Sequence, residues 1–168
     1  LPTLEQDRNL PIDVQAMHLW ASGLIDDVII GNAYASEAEL KALSKVNRYQ
    51  LMLHVNYVTD VNKIEKTIVE APQHFRRGDI TKDVIRSTMP RVTYADIPNP
   101  VHDNNVEFQR GDIIIGNDNF GHYKNELQIV LEPHKESRMN KVGSIRSDEL
   151  FLLDFIKPWS KFKLIGNK

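Results

Sequence analysis

A chain of 168 residues with 41% hydrophobic and 26% charged side chains, eight glycines and eight prolines has the profile of a globular protein with a real core, which excludes a disordered or fibrous one. Its 21 Lys and Arg against 23 Asp and Glu give a formal charge of -2, so no global field draws it to nucleic acid or anionic lipid, and any anion must be held by a local site. The lack of cysteine excludes disulfides, thiolate metal sites and a Cys nucleophile and suits a cytoplasmic location, while no apolar run reaches the roughly 18 residues of a membrane helix.

Residues 13–22 place Val14, Met17, His18 and Ala21 on one face at helical spacing, with Asp13 as the cap and Gly23 as the stop. Residues 24–30 end in an uninterrupted apolar run, the pattern of a strand covered on both faces in a parallel sheet. Gly31, Asn32, Ala33 and Tyr34 form a loop, and Ser36 opens a second helix with Glu39 as its capping-box partner. This α/β rhythm gives way after about residue 48. Residues 49–59 predict a strand, 63–69 a short helix, and 92–95, 106–108, 113–115 and 126–131 short strands between turn residues. Ser147 caps a last helix that stops before Pro158, and 161–165 predict a closing strand.

The change of rhythm divides the chain into residues 1–48, α/β, and residues 49–168, mainly β and antiparallel. One strand with two helices does not enclose a core, because a parallel strand needs neighbours supplied by further crossovers. The chain also opens on Leu1 with no preceding element, so the reading expects a piece of a longer protein.

The stretches LPTLEQDRNLP, LIDDVIIGNAYAS, RSTMPRVTYADIPNP, RGDIIIGNDNFGHYKNELQIVL and DELFLLDFIKPWSKFKL resemble the bacterial 6-phospho-N-acetylmuramidase family. The resemblance implies the last strand and helix units of a TIM barrel in residues 1–48, followed by a cyclophilin-like β-barrel domain in 49–168. It implies a glycoside hydrolase whose intact form cleaves a disaccharide carrying N-acetylmuramic acid 6-phosphate, during cytoplasmic recycling of cell-wall sugars. The partner is then a phosphorylated amino-sugar disaccharide, without cofactor, nucleic acid or membrane, and a homo-oligomer is left open. The competing readings are a stand-alone ligand-binding β module and, by fold analogy alone, a prolyl isomerase.

Barrel enzymes carry their sites on the loops that follow the strands, often with phosphate bound after the last two. Those loops here hold Glu5, Asp7 and Arg8, then Asn32, Tyr34 and Ser36. Arg8 offers a fork of donors to a phosphate, and the free N–H groups behind Ser36 favour an anion; the structural alternative is a surface charge and a plain helix cap. Glu5 is the local candidate for one of the two carboxyl groups a glycosidase needs, against a merely hydrogen-bonding role. Asp26 and Asp27, adjacent at the start of the expected strand, point to opposite faces and read as structural. In the β part, Arg86 and Arg91 flank STMP, and Asn117, Asp118, Phe120 and Tyr123 surround a glycine-bearing turn. These are sugar-binding groups or, equally, turn residues satisfying their own backbone. The six histidines show no metal-ligand spacing, and no metal is expected.

Overall fold

A computed structural model describes residues 4–31 and 34–167. From position 51 onward the chain builds seven strands: β1 (Leu51–Tyr57), β2 (His74–Phe75), β3 (Val84–Ser87), β4 (Asp112–Gly116), β5 (Leu127–Val130), β6 (Met139–Ile145) and β7 (Lys161–Gly166). They form one sheet in the order β2-β7-β1-β6-β4-β5-β3, antiparallel except for the β1–β7 pair, which is parallel. The two edges nearly meet. Arg77 N–H donates to the Arg86 carbonyl at 2.9 Å, and the Ser87 hydroxyl on β3 lies 2.9 Å from Nδ1 of His74 on β2. Burial holds the His74 pKa below its ordinary value, so its ring closes the seam as a neutral group, Nε2–H donating to the Val69 carbonyl at 3.2 Å. The result is a seven-stranded, nearly closed barrel within a mixed α/β chain, compatible with the cyclophilin-like barrel expected.

Inward residues such as Leu53, Ile85, Ile113, Ile129, Val142 and Phe162 fill the barrel. Ile114 points the other way and is equally buried, under Phe108, Val130 and Met139. The expected strand at 113–115 therefore forms in the middle of the sheet, covered on both faces. Where β6 crosses β1, a Cβ on Gly143 would stand 2.6 Å from the Asn56 carbonyl oxygen, so the two backbones meet only because that position has no side chain.

The described residues also form four α-helices: α1 (Ile12–Ala21), α2 (Glu37–Leu43), α3 (Lys63–Val69) and α4 (Met89–Thr93). α2 starts with the expected capping box, Ser36 Oγ accepting from Glu39 N–H at 3.2 Å and Glu39 Oε2 accepting from Ser36 N–H at 2.8 Å. α1 is not part of a separate layer. Val14 and Met17 join the barrel's core, and the His18 ring sits edge-on between Phe151 at 4.9 Å and Phe155 at 5.1 Å.

Several expected elements differ. Residues 24–30 form no strand, and Leu24 and Ile29 are more than four-fifths exposed, because no described strand lies alongside to take their backbone groups. Val92 and Thr93 lie in α4 instead of a strand, since Pro90 presets a helical φ at its first turn. Of 106–108, only Phe108 pairs, through a single bridge to His134. The last helix, Ser147–Phe155, is 3₁₀, and Ser147 lies inside it behind Arg146, which makes no side-chain cap. Asp13 likewise lies in the first turn of α1, behind Pro11 at the cap.

Candidate functional site

Glu5–Asp7 form one 3₁₀ turn that sorts its acids to opposite sides. Asp7 is buried and its Oδ1 lies 2.8 Å from His18 Nδ1, while Gln6 Nε2 lies 3.4 Å from His18 Nε2. With Gln6 donating to Nε2, Nδ1–H of the ring donates its hydrogen bond to Asp7. This anchor turns Glu5 and Arg8 outward, where they form an exposed pair at 3.5 Å. Arg8 then lines an open cleft of about 770 Å³ with Tyr34, Asp13, Glu39, Ile29 and Leu43. Tyr34 is 95% exposed. Asn32 lies outside the described residues.

Two carboxylates, Asp13 and Glu39, share this cleft with Arg8. The Ser36 backbone N–H and then its hydroxyl hold the Glu39 carboxyl below its ordinary range, which suits it to accepting hydrogen bonds and not to giving up a proton. Ser36 itself is fully engaged in that box.

The second predicted group divides. Arg86, Arg91 and Tyr123 come together around Glu126, a residue that sequence reasoning passed over. Arg86 bonds the Glu126 carboxylate through Nε at 2.6 Å and Nη2 at 3.1 Å and reaches Asp79 at 3.0 Å; Arg91 stands 3.1 Å from Glu126, and its guanidinium carbon is 4.9 Å from the Tyr123 ring centre. Burial opposes charge here, but the Glu126 hydrogen bond, the largest influence, holds the Arg86 pKa above its ordinary value. Arg77 also pairs with Asp79, at 2.8 Å, so three cations share two carboxylates and every cation of the cluster already faces an acid. Phe120 packs against Tyr123, ring centres 5.3 Å apart, and lies under the Arg138 guanidinium at 4.4 Å.

Asn117 turns inward, into a network the sequence does not announce, while Asp118 stays exposed at its edge. Glu65, fully buried on α3, accepts from His102 Nε2 at 2.7 Å and from Asn140 Nδ2 at 2.9 Å. Asn140 Oδ1 accepts from the His102 N–H at 3.0 Å and from Asn117 Nδ2 at 3.1 Å, and Asp118 accepts from the Asn99 N–H at 2.9 Å. Asn62 caps α3 and donates to Asn99 at 2.9 Å. The network ties the 98–106 strap to the end of the barrel.

His102 lies between two carboxylates, with Asp103 at 3.2 Å on its other nitrogen. Burial works against its charge, but hydrogen bonding and attraction from Glu65 and Asp103 outweigh that and raise its pKa above the ordinary value. A raised folded-state pKa adds stability that is fully present below the unfolded value of about 6.5 and is lost as pH rises through the folded value. The stability difference between wild type and His102→Gln should therefore be largest in mildly acidic buffer and shrink toward alkaline pH. Urea midpoints measured across that range check this; a difference constant with pH would mean that the ring is uncharged in the fold.

Among the described residues, no group of His, Asp and Glu is arranged to hold a metal, and no helix is long and apolar enough to cross a membrane.

Residues 51–165 match the family model described as 6-phospho-N-acetylmuramidase, C-terminal, and residues 1–45 match 6-phospho-N-acetylmuramidase, N-terminal. The crystal structure of an uncharacterized B. cereus protein is 52% identical, with a TM-score of 0.93 over 97% of this chain and 47% of that one. A conserved Enterococcus faecalis protein of unknown function is 25% identical, with a TM-score of 0.71 over 99% of this chain and 44% of its own. The chain spans just under half the length of each. None of the curated proteins matches. With both parts of one family model matched in order along it, the chain belongs to the 6-phospho-N-acetylmuramidase family.

Proposed function

We propose that the chain is the C-terminal part of a cytoplasmic glycoside hydrolase that cleaves a disaccharide carrying N-acetylmuramic acid 6-phosphate, in the recycling of cell-wall sugars. Residues 1–48 then contribute the last units of a TIM barrel, and residues 49–168 form the β domain beside it. In this reading the exposed run 24–30 is a barrel strand whose neighbours lie in the other half of the protein, which accounts for its bare apolar side chains.

The observation that carries the proposal is the placing of Arg8 beside Tyr34 on one open cleft, within the part matched by the N-terminal family model. Arg8 recognises the 6-phosphate, and the Tyr34 face meets a sugar ring. Glu5, paired with Arg8, is the candidate carboxyl group on this side. A second carboxyl held about 5 to 9.5 Å away is required for the chemistry. Residues 1–168 by themselves are accordingly expected to turn over no muramyl disaccharide.

A charge-assisted bond contributes about 1.5–3 kcal/mol, so Arg8→Ala in the intact enzyme should lower kcat/KM for the phosphorylated disaccharide by roughly ten- to a hundredfold. The unphosphorylated disaccharide should be little affected. The ratio of the two cancels general damage to the fold, and an equal loss on both substrates would remove Arg8 from phosphate recognition.

A further inference from the structure

At the other end of α1 lies a smaller cleft, of about 190 Å³, between that helix, the 47–51 linker and the 157–161 turn. α1 has ten residues, so at 1.5 Å per residue this cleft is about 15 Å from the Arg8 end. Trp20, Tyr49 and Phe155 give it aromatic walls, and Arg48, Lys157 and Lys161 give it a basic rim. These cations are nearly uncompensated. Among the described residues Lys157 and Lys161 make no salt bridge, and Arg48 has only Asp26, at 3.8 Å, whose own side chain is 98% exposed. The contrast with the Arg86 and Arg91 cluster, where every cation faces a carboxylate, is what marks this rim as open to an external anion.

Size and chemistry narrow the ligand. A space of about 190 Å³ equals roughly six water molecules at about 30 Å³ each and falls below the 300–1,000 Å³ typical of drug-sized ligands, so it suits one monosaccharide. Ammonium and guanidinium groups select phosphate or carboxylate, and flat aromatic walls suit the C–H face of a pyranose. We propose that this cleft binds a monosaccharide-sized anionic pyranose, a sugar phosphate or sugar acid, and clamps α1 against the barrel. Its walls come from α1, from the linker and from the turn before β7, so a bound ligand touches all three and opposes their separation. The 52% identical B. cereus protein superposes over 97% of this chain, which places α1 and the barrel alike in a molecule about twice as long.

The experiment is a titration of the isotope-labelled chain with glucose 6-phosphate, glucuronate, glucose and inorganic phosphate, followed by amide and indole NMR. The chain has two tryptophans, so the Trp20 indole is read directly once Trp159→Phe assigns the other. Saturable shifts of Trp20 and of residues 47–51 are expected with both anionic sugars, at least tenfold weaker with glucose or phosphate alone. Both lysines are exposed, so Lys157→Ala/Lys161→Ala should keep the dispersed spectrum of the fold while weakening the anionic sugars at least tenfold. Arg8→Ala should leave this binding unchanged. Unaltered binding by the double variant, shifts centred on Arg8 and Tyr34, or glucose binding as tightly as glucose 6-phosphate would each overturn the proposal. Inorganic phosphate binding as tightly as glucose 6-phosphate would overturn it too, leaving a simple ion site.

Discussion

Glu65→Ala is expected to destabilise the chain by about 3–5 kcal/mol, the usual result of removing one partner from a buried charged network. Glu65 is fully buried and is the acceptor for both His102 and Asn140, so alanine leaves an imidazole N–H and an amide facing a void. It also removes half of the capping box that starts α3, in which Glu65 accepts from the Asn62 N–H at 3.2 Å. At about 2–4 °C per kcal/mol for a chain of this size, the melting temperature should fall by roughly 6–20 °C. Glu65→Gln keeps the shape and one acceptor oxygen, and should cost clearly less. Urea unfolding decides the matter: a lower midpoint with an unchanged slope is the expected result, and an alanine variant within 1 kcal/mol of wild type would show that the network is not a stabilising unit.

Glu126→Ala should cost about 2–4 kcal/mol, somewhat less because its partners Arg86 and Arg91 are partly exposed and can recruit water. With Arg77, Arg86 and Arg91 against Asp79 and Glu126 the cluster carries +1; the substitution makes it +2, and Arg91 loses its only carboxylate among the described residues. Arg86 keeps Asp79. A double-mutant cycle of Glu126→Ala with Arg91→Leu isolates the pair: the double variant is expected to be more stable than the sum of the two single losses, by more than about 0.5 kcal/mol. Strict additivity would mean that Arg91 is held by its contact with the Tyr123 ring and not by Glu126.

What could be read in the sequence was what neighbouring residues decide among themselves. The α2 cap needs only Ser36 and Glu39, three positions apart, and it forms as expected although no residue of that helix is buried. The 113–115 run and the alternation through 51–57 likewise carry their own burial pattern, and the helix face of Val14, Met17 and His18 turns inward as its spacing predicts. The family resemblance in residues 1–45 and 51–165 was legible as well, because it too lies along the chain. The tertiary structure alone decided where distant parts meet. The apolar run 24–30 has the composition of a strand and forms none among the described residues, since a strand exists only when another takes up its hydrogen bonds. Asn117 has the composition of a ligand-binding turn, yet a partner 23 positions away, Asn140, draws it into the interior. Glu65 and Glu126 look like surface acids in one dimension; they are buried because partners up to 75 and 40 positions away supply the hydrogen bonds and charges that make the burial of a carboxylate tolerable.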